Sequence, residues 1–316
     1  MSANRRKEYL MTFSITLSTV MMMFLYAVPA YLLIKAKIAK PQSISGLASI
    51  LLYICTPAIV IHGFQSIEFS FEAIKSLGQF FLVASAIHLL VFAIAWFATC
   101  KKRDDIRYRI VTIASTCGNC GFLGIPLIKA LLPGHPEAVV YAAIFSISMN
   151  LIGFTLGCLA ISNDSKYISL KRIFLNPAMI ASYFAIPMFI FGLRLPDTIL
   201  GTFEMFVTIS TPICMFVLGM RLATVKFSSI FTSPTTYISV FAKQIIMPLG
   251  VIAIMLLLPL DPIMEKSMVI LCSCPIAAVV LNLSELIGEG QSEAANSVLL
   301  GTVLSILTIP LVSFLL

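Results

Sequence analysis

Charge is what this chain has least of. Of its 316 residues only 11% are Asp, Glu, Lys or Arg, while 59% are hydrophobic; a soluble domain carries about 25% charged residues. With a mean hydropathy of +1.02, nothing is left over to build a water-soluble domain. The chain also lacks a G-x-x-x-x-G-K-[ST] stretch, so ATP-driven work would need a separate subunit. A secreted disulfide framework is missing as well: the eight cysteines (55, 100, 117, 120, 158, 214, 272 and 274) fall mostly inside apolar runs, where free Cys behaves as a small hydrophobe. The formal charge of +7 does not point to nucleic acid, because the basic residues sit in short loops between apolar runs and read as topology signals.

What is present is a succession of apolar runs, each long enough to cross a hydrocarbon core of about 30 Å at 1.5 Å per residue. With Pro, Gly and charge clusters taken as breaks, helices are expected at about 9–34, 43–64, 76–100, 108–132, 137–160, 172–193, 198–222, 235–258, 263–288 and 292–315. That makes an all-α integral membrane protein of ten spans. The basic start, Arg5-Arg6-Lys7, imitates a signal peptide, but the run behind it exceeds an h-region of about 7–15 residues and is expected to be retained.

Loop charge sets the orientation. One side carries Lys35, Lys37, Lys40, Lys101, Lys102, Arg103, Arg107, Arg109, Lys166, Lys171, Arg172, Arg221 and Lys226. The other carries Arg5, Arg6, Lys7, Lys75, Lys129, Arg194 and Lys266. The richer side is expected to be cytoplasmic, with both termini outside a plasma (cytoplasmic) membrane.

The halves echo each other. Ile54-Cys-Thr-Pro57 recurs as Ile209-Ser-Thr-Pro212, 155 residues on; Ala27-Val-Pro29-Ala-Tyr31 recurs as Ala185-Ile-Pro187-Met-Phe189 at 158, and Glu137 as Glu293 at 156. Three ordered pairs at nearly one offset indicate a duplicated five-helix unit, 1–160 and 161–316. Five is odd, so the second copy is inverted, an arrangement typical of secondary transporters whose sites lie where broken helices meet near the midplane.

Two spans carry such breaks. Thr116-Cys-Gly-Asn-Cys-Gly121 places two glycines and an amide inside span four, and Cys272-Ser-Cys-Pro275 interrupts span nine. Glycine weakens a helix and proline removes a backbone donor. Such stretches are tolerated at membrane depth only when buried in protein or lining a cavity. A half-helix starting near Phe122 would turn its positive end toward that cavity, suiting an anion such as a carboxylate.

Gly118-Asn-Cys-Gly-Phe-Leu-Gly-Ile-Pro-Leu127 resembles the N-x-G-F-x-G-x-P-L signature of the auxin efflux carrier (AEC) family, which includes plant PIN auxin exporters and bacterial malate and malonate permeases. Asn176-Pro177, Leu195-Pro196, Lys243 with Pro248, and Leu304-Ser-Ile-Leu-Thr-Ile-Pro310 extend the likeness over nearly the whole chain. The resemblance implies a bile-acid-symporter/NhaA-like fold of inverted repeats. Spans one, two, six and seven would form a scaffold, usually homodimeric, and spans three to five and eight to ten a moving domain. It also implies that Asn119 lies beside a substrate carboxylate. The chain departs from the plant members in having Gly118 where they have proline, and only about ten residues between spans five and six, as short bacterial members do.

From these readings Asn119, Gly118, Gly121, Asn282 and Pro275 are candidate substrate-binding residues; the alternative for Asn119 and Asn282 is ordinary interhelical packing. Lys243 and His88 occupy equivalent places, 155 residues apart. Lys243, Gln244, His88 and Glu285 are candidates for coupling or charge compensation, because an ionisable group at membrane depth needs a partner or a wet cavity. Their bland alternatives are snorkelling, a core imidazole and a hydrated helix end. His62 and Glu204 rank behind them. Cys117, Cys120, Cys272 and Cys274 permit a thiol-disulfide oxidoreductase or a four-thiolate metal site, set against a small-residue break that happens to contain cysteine. The function expected is alternating-access transport of a small mono- or dicarboxylate, not catalysis, with no metal or organic cofactor and either no coupling ion, a proton or sodium. A non-transporting sensor on the same fold is a further alternative.

Overall fold

The computed structural model describes residues 3–162, 174–224, 231 and 233–315, with side chains from residue 12 onward. Lys166, Lys171, Arg172 and Lys226, and the side chains of Arg5, Arg6 and Lys7, lie outside the described residues. The described chain is helical and contains no strand. In order it forms α1 (Ala3–Lys35), α2 (Ser43–Gln65), α3 (Phe71–Thr99), α4 (Ile106–Ala114), α5 (Cys120–Leu131), α6 (Pro136–Ser162), α7 (Pro177–Ile190), α8 (Asp197–Thr224), α9 (Pro234–Met255), α10 (Pro262–Ser273), α11 (Val279–Ile287) and α12 (Gln291–Ser313). Seven stretches, in α1, α2, α3, α6, α8, α9 and α12, are long and apolar enough to cross a membrane. Large apolar side chains such as Leu25, Leu82, Phe97, Phe184 and Met205 stand exposed, a surface suited to lipid and unlike that of a soluble domain.

The helix starts are chemically marked. Pro136, Pro177, Pro234 and Pro262 open their helices, where the missing N–H costs nothing. Asn176 and Asp261 cap the amides of Ala178 and of Ile263 and Met264. The Asn176 cap sets the start of α7 at Pro177, inside the span expected from 172. π turns occupy Leu51–Cys55 in α2, Cys120–Gly124 in α5 and Ala242–Ile246 in α9. Each is followed two residues later by a proline, Pro57, Pro126 or Pro248, whose missing donor and ring a widened turn accommodates. A fourth, Gly153–Gly157 in α6, has no proline after it.

α1 packs on α8 and α12, α2 on α7 and α8, α3 on α6, and α9 on α4, α10 and α12. The α1–α8 approach is so close that a Cβ on Gly219 would clash with the Ala27 carbonyl oxygen; only glycine fits there. At one end of the molecule the two halves are clasped. Gln65 Nε2 donates to the Leu193 carbonyl (3.0 Å) and its Oε1 accepts from Leu195 N–H (3.0 Å). Arg194 donates in return to the carbonyls of Gln65 and Ile67.

Candidate functional site

The expected breaks are real and they meet. α4 ends at Ala114, the chain runs on non-helically to Asn119 (φ −76°, ψ 61°), and α5 begins at Cys120, two residues before the expected Phe122. α10 ends at Ser273, Cys274 is extended (φ −61°, ψ 143°), and α11 begins at Val279. The two non-helical stretches cross as an isolated antiparallel bridge between Gly118 and Ile276. Asn119 N–H donates to the Pro275 carbonyl (2.7 Å) and Ala277 N–H to the Cys117 carbonyl (3.0 Å). Each break thereby satisfies backbone groups that helix geometry abandons, as a low-dielectric interior requires.

The bridge leaves one side chain turned outward. Residues 110–118 and 120 are buried, whereas Asn119 is partly accessible, and its side chain lies within hydrogen-bonding reach of Cys214 on α8. Pro275 is buried and acts through its carbonyl; Gly121 is partly accessible beside Ser146 on α6. Asn282 and Glu285 project from the exposed face of α11, away from the bridge, and neither has a side-chain hydrogen bond among the described residues.

Behind the bridge lies a buried lysine. Lys243, in the π turn of α9, is 0% exposed, and its Nζ donates to the Cys272 carbonyl at 2.6 Å. A Cβ on Gly118 would sit 2.9 Å from both Cε and Nζ of this lysine. Glycine is therefore what admits the ammonium to the crossing point. No carboxylate among the described residues forms an ion pair with Lys243. The thiols of Cys117, Cys120, Cys272 and Cys274 and the imidazole of His88 are within electrostatic range of it. Snorkelling does not describe this lysine: it points inward and reaches no interface.

The other candidates separate clearly. Gln244 is spent on helix packing, donating to the Gly301 carbonyl (2.5 Å) and accepting from Thr308 (3.0 Å). His88 is fully buried against Phe145, its Nδ1 near the Ala84 carbonyl (2.8 Å) and Ser148 Oγ (3.2 Å), while Nε2 has no partner among the described residues. His62 lines a separate cleft of about 280 Å³ with Ser66, Lys129 and His135, and Glu204 is exposed. The four crossover cysteines are free and buried. Among the described residues no three His, Cys, Asp or Glu side chains gather in a metal-binding arrangement. Burial also keeps these thiols from any partner at a membrane face, which removes the support for the redox reading.

Sequence reasoning missed Cys214, whose only sequence signal is its place two residues after Pro212, in the stretch that repeats Ile54–Pro57.

A helical membrane protein with paired breaks and a buried lysine at their crossing belongs among the transport proteins, and comparison with known proteins agrees. A family model described as "Membrane transport protein" matches residues 15–313; the chain belongs to that family, to which the auxin efflux carriers belong. It is 24% identical over 186 residues to a protein named "Uncharacterized transporter YfdV" from Escherichia coli K12, covering 55% of this chain and 57% of the relative. Relatives of the same name in Escherichia coli O157:H7 and Shigella flexneri match equally. The match thus spans little more than half the length of these curated relatives.

Proposed function

We propose that the protein carries a small organic anion, a mono- or dicarboxylate of the malate or malonate kind, across the cytoplasmic membrane by alternating access. The observation that carries this reading is Lys243: a fully buried lysine with a single hydrogen bond and no carboxylate partner among the described residues, set against the crossing of two broken helices. A buried charge is costly unless paired, and an anionic substrate supplies the missing partner. Asn119, beside Cys214 of α8, adds an amide donor for a carboxylate oxygen. In this reading α4 with α5 and α10 with α11 form one broken span each, giving ten crossings in two inverted halves. Helices α1, α2, α7 and α8 then form a dimeric scaffold, the remainder moves against it, and both termini lie outside.

The test is uptake by purified protein in liposomes of labelled malate, malonate, succinate, lactate and indole-acetate, with Asn119→Ala in parallel and pH or sodium gradients imposed. Saturable flux of one acid, lost in the variant, is the expected result. Binding without flux would instead make the protein a sensor.

A further inference from the structure

Glu293 is a buried ionisable group for which anion binding at the crossover has no use. The third residue of α12, it is 7% exposed. Its Oε1 accepts from the hydroxyls of Ser233 (3.0 Å), Thr235 (2.6 Å) and Thr236 (3.0 Å), all at the start of α9. Oε2 has no hydrogen-bond partner among the described residues. On the α4 side Arg107 is within electrostatic range of Glu293, but its guanidinium is bonded to Asp105, and the neighbouring Arg109 is paired with Glu289. The carboxylate is held by hydroxyls and not by an ion pair.

A polar seam leads from it to the crossover. Thr235 and Thr236 meet Glu293, and Gln244 meets Gly301, so α9 and α12 run in the same direction with residues 57 or 58 apart lying level. The same register sets Ser239 level with Ser297, and Lys243 level with Gly301. Thr236, Ser239, Lys243 and Ser297 are each 0% exposed. The Ser239 hydroxyl turns back to the Thr235 carbonyl (3.0 Å). That of Ser297 has no partner among the described residues. An orphaned hydroxyl in such an interior is costly, and the α9–α12 register puts this one at a level between Lys243 and Glu293. The rise from Thr235 to Lys243 is about 12 Å at 1.5 Å per residue, with Ser239 one turn from each.

We infer that this seam is a proton route joining Lys243 to Glu293, and that the carrier is therefore proton-coupled; this rests on the anion-carrier reading above. While the substrate anion is bound, its charge holds the proton on Lys243. Once the anion has left, an N–H bond of the ammonium breaks. The proton passes along the Ser297 and Ser239 hydroxyls, and an O–H bond forms on Glu293, from which it leaves at the start of α12. Lys243 ends neutral and Glu293 is reset on losing the proton to water. His88 and the four crossover thiols are also within electrostatic range of Lys243, on α3, α5, α10 and the α4–α5 and α10–α11 breaks, elements other than α9 and α12, which carry the seam's hydroxyls.

The experiment compares two reactions in liposomes, using the acid of the panel above that the wild-type protein exchanges. One is exchange of labelled for unlabelled acid at equal pH, which needs no proton movement. The other is net uptake driven by a pH gradient, with an entrapped pH dye reporting protons. Glu293→Gln is expected to keep exchange while losing gradient-driven uptake and its dye signal by about 100-fold, the scale of a lost proton-transfer group. Ser297→Val, which fills the seam, is expected to do the same and decides the matter if Glu293→Gln loses both reactions. Driven uptake unchanged in Ser297→Val, or wild-type uptake indifferent to the pH gradient, overturns the proton route. Absence of exchange in the wild type overturns the carrier reading instead.

Discussion

The two breaks that cross at the bridge are built from different materials. The first, Cys117–Gly121, uses glycine and leaves the partly accessible Asn119 amide facing α8. The second, Cys272–Ala277, uses proline and is buried, and its Cys272 carbonyl is held by Lys243. One break presents polarity to the opposing helix layer; the other anchors a charge behind it. The difference teaches that two crossing broken helices need not divide their work evenly: one offers a polar contact wall, the other a floor that holds Lys243.

The sharpest way to break this division is Gly118→Val. Its Cβ would press on Cε and Nζ of Lys243 at under 3 Å, displacing the ammonium from the Cys272 carbonyl. Transport is expected to vanish, with stability lowered by about 1–3 kcal/mol from overpacking, measured by uptake alongside thermal unfolding in detergent.

Lys243→Ala comes next. It removes the floor, and anion uptake is expected to fall about 100-fold, in keeping with the loss of a buried electrostatic partner; Lys266→Ala, at the start of α10, should change it little. Equal, small losses in the two variants would dissolve the distinction between the breaks.

Asn119→Ala should cost more than Asn282→Ala, by roughly tenfold in apparent affinity, about the value of one hydrogen bond to a charged group. The comparison rests on exposure: Asn119 faces α8, whereas Asn282 lies on the outer face of α11.

The smallest effect is expected away from both breaks. Asp105 caps α4 through Arg107 N–H (2.9 Å), and side-chain hydrogen bonds from Arg107 hold its carboxyl below the ordinary value. Asp105→Ala should lower stability by about 0.5–1 kcal/mol without altering transport. Because the folded-state value is depressed, the wild-type advantage is present at neutral pH. It is lost as pH falls through that depressed value, which unfolding measured across acidic pH checks.

Much of this was legible in the order of residues. The approximate helix positions followed from apolar run length and from Pro, Gly and charge clusters between the runs, and the two interruptions from glycine and proline at membrane depth. The cost of charge in hydrocarbon singled out Lys243 but left snorkelling open, and its burial settles only where the side chain lies. Three-dimensional register was not legible. Nothing local distinguishes Gln244, committed to α12, from Lys243 one residue earlier, because a π turn sets which of them faces the crossing. The exposed face of α11 that carries Asn282 and Glu285, and the meeting of Cys214 with Asn119, depend on packing between elements far apart in the chain. Three of the four π turns had a signal, a proline two residues beyond, that becomes readable only once the pattern is known.

The clasp of Gln65 with Arg194 has a consequence for how the molecule is made. Its partners are separated by 127 to 130 residues, and the crossover bridge likewise joins residues 118 and 276. A ribosome that has released only the first five helices leaves the Gln65 amide, the Asn119 N–H and the Cys117 carbonyl without these mates inside a forming membrane protein. The nascent first half is thus an unfinished surface that closes in two stages, the clasp when residues 193–195 arrive and the bridge when residues 275–277 arrive.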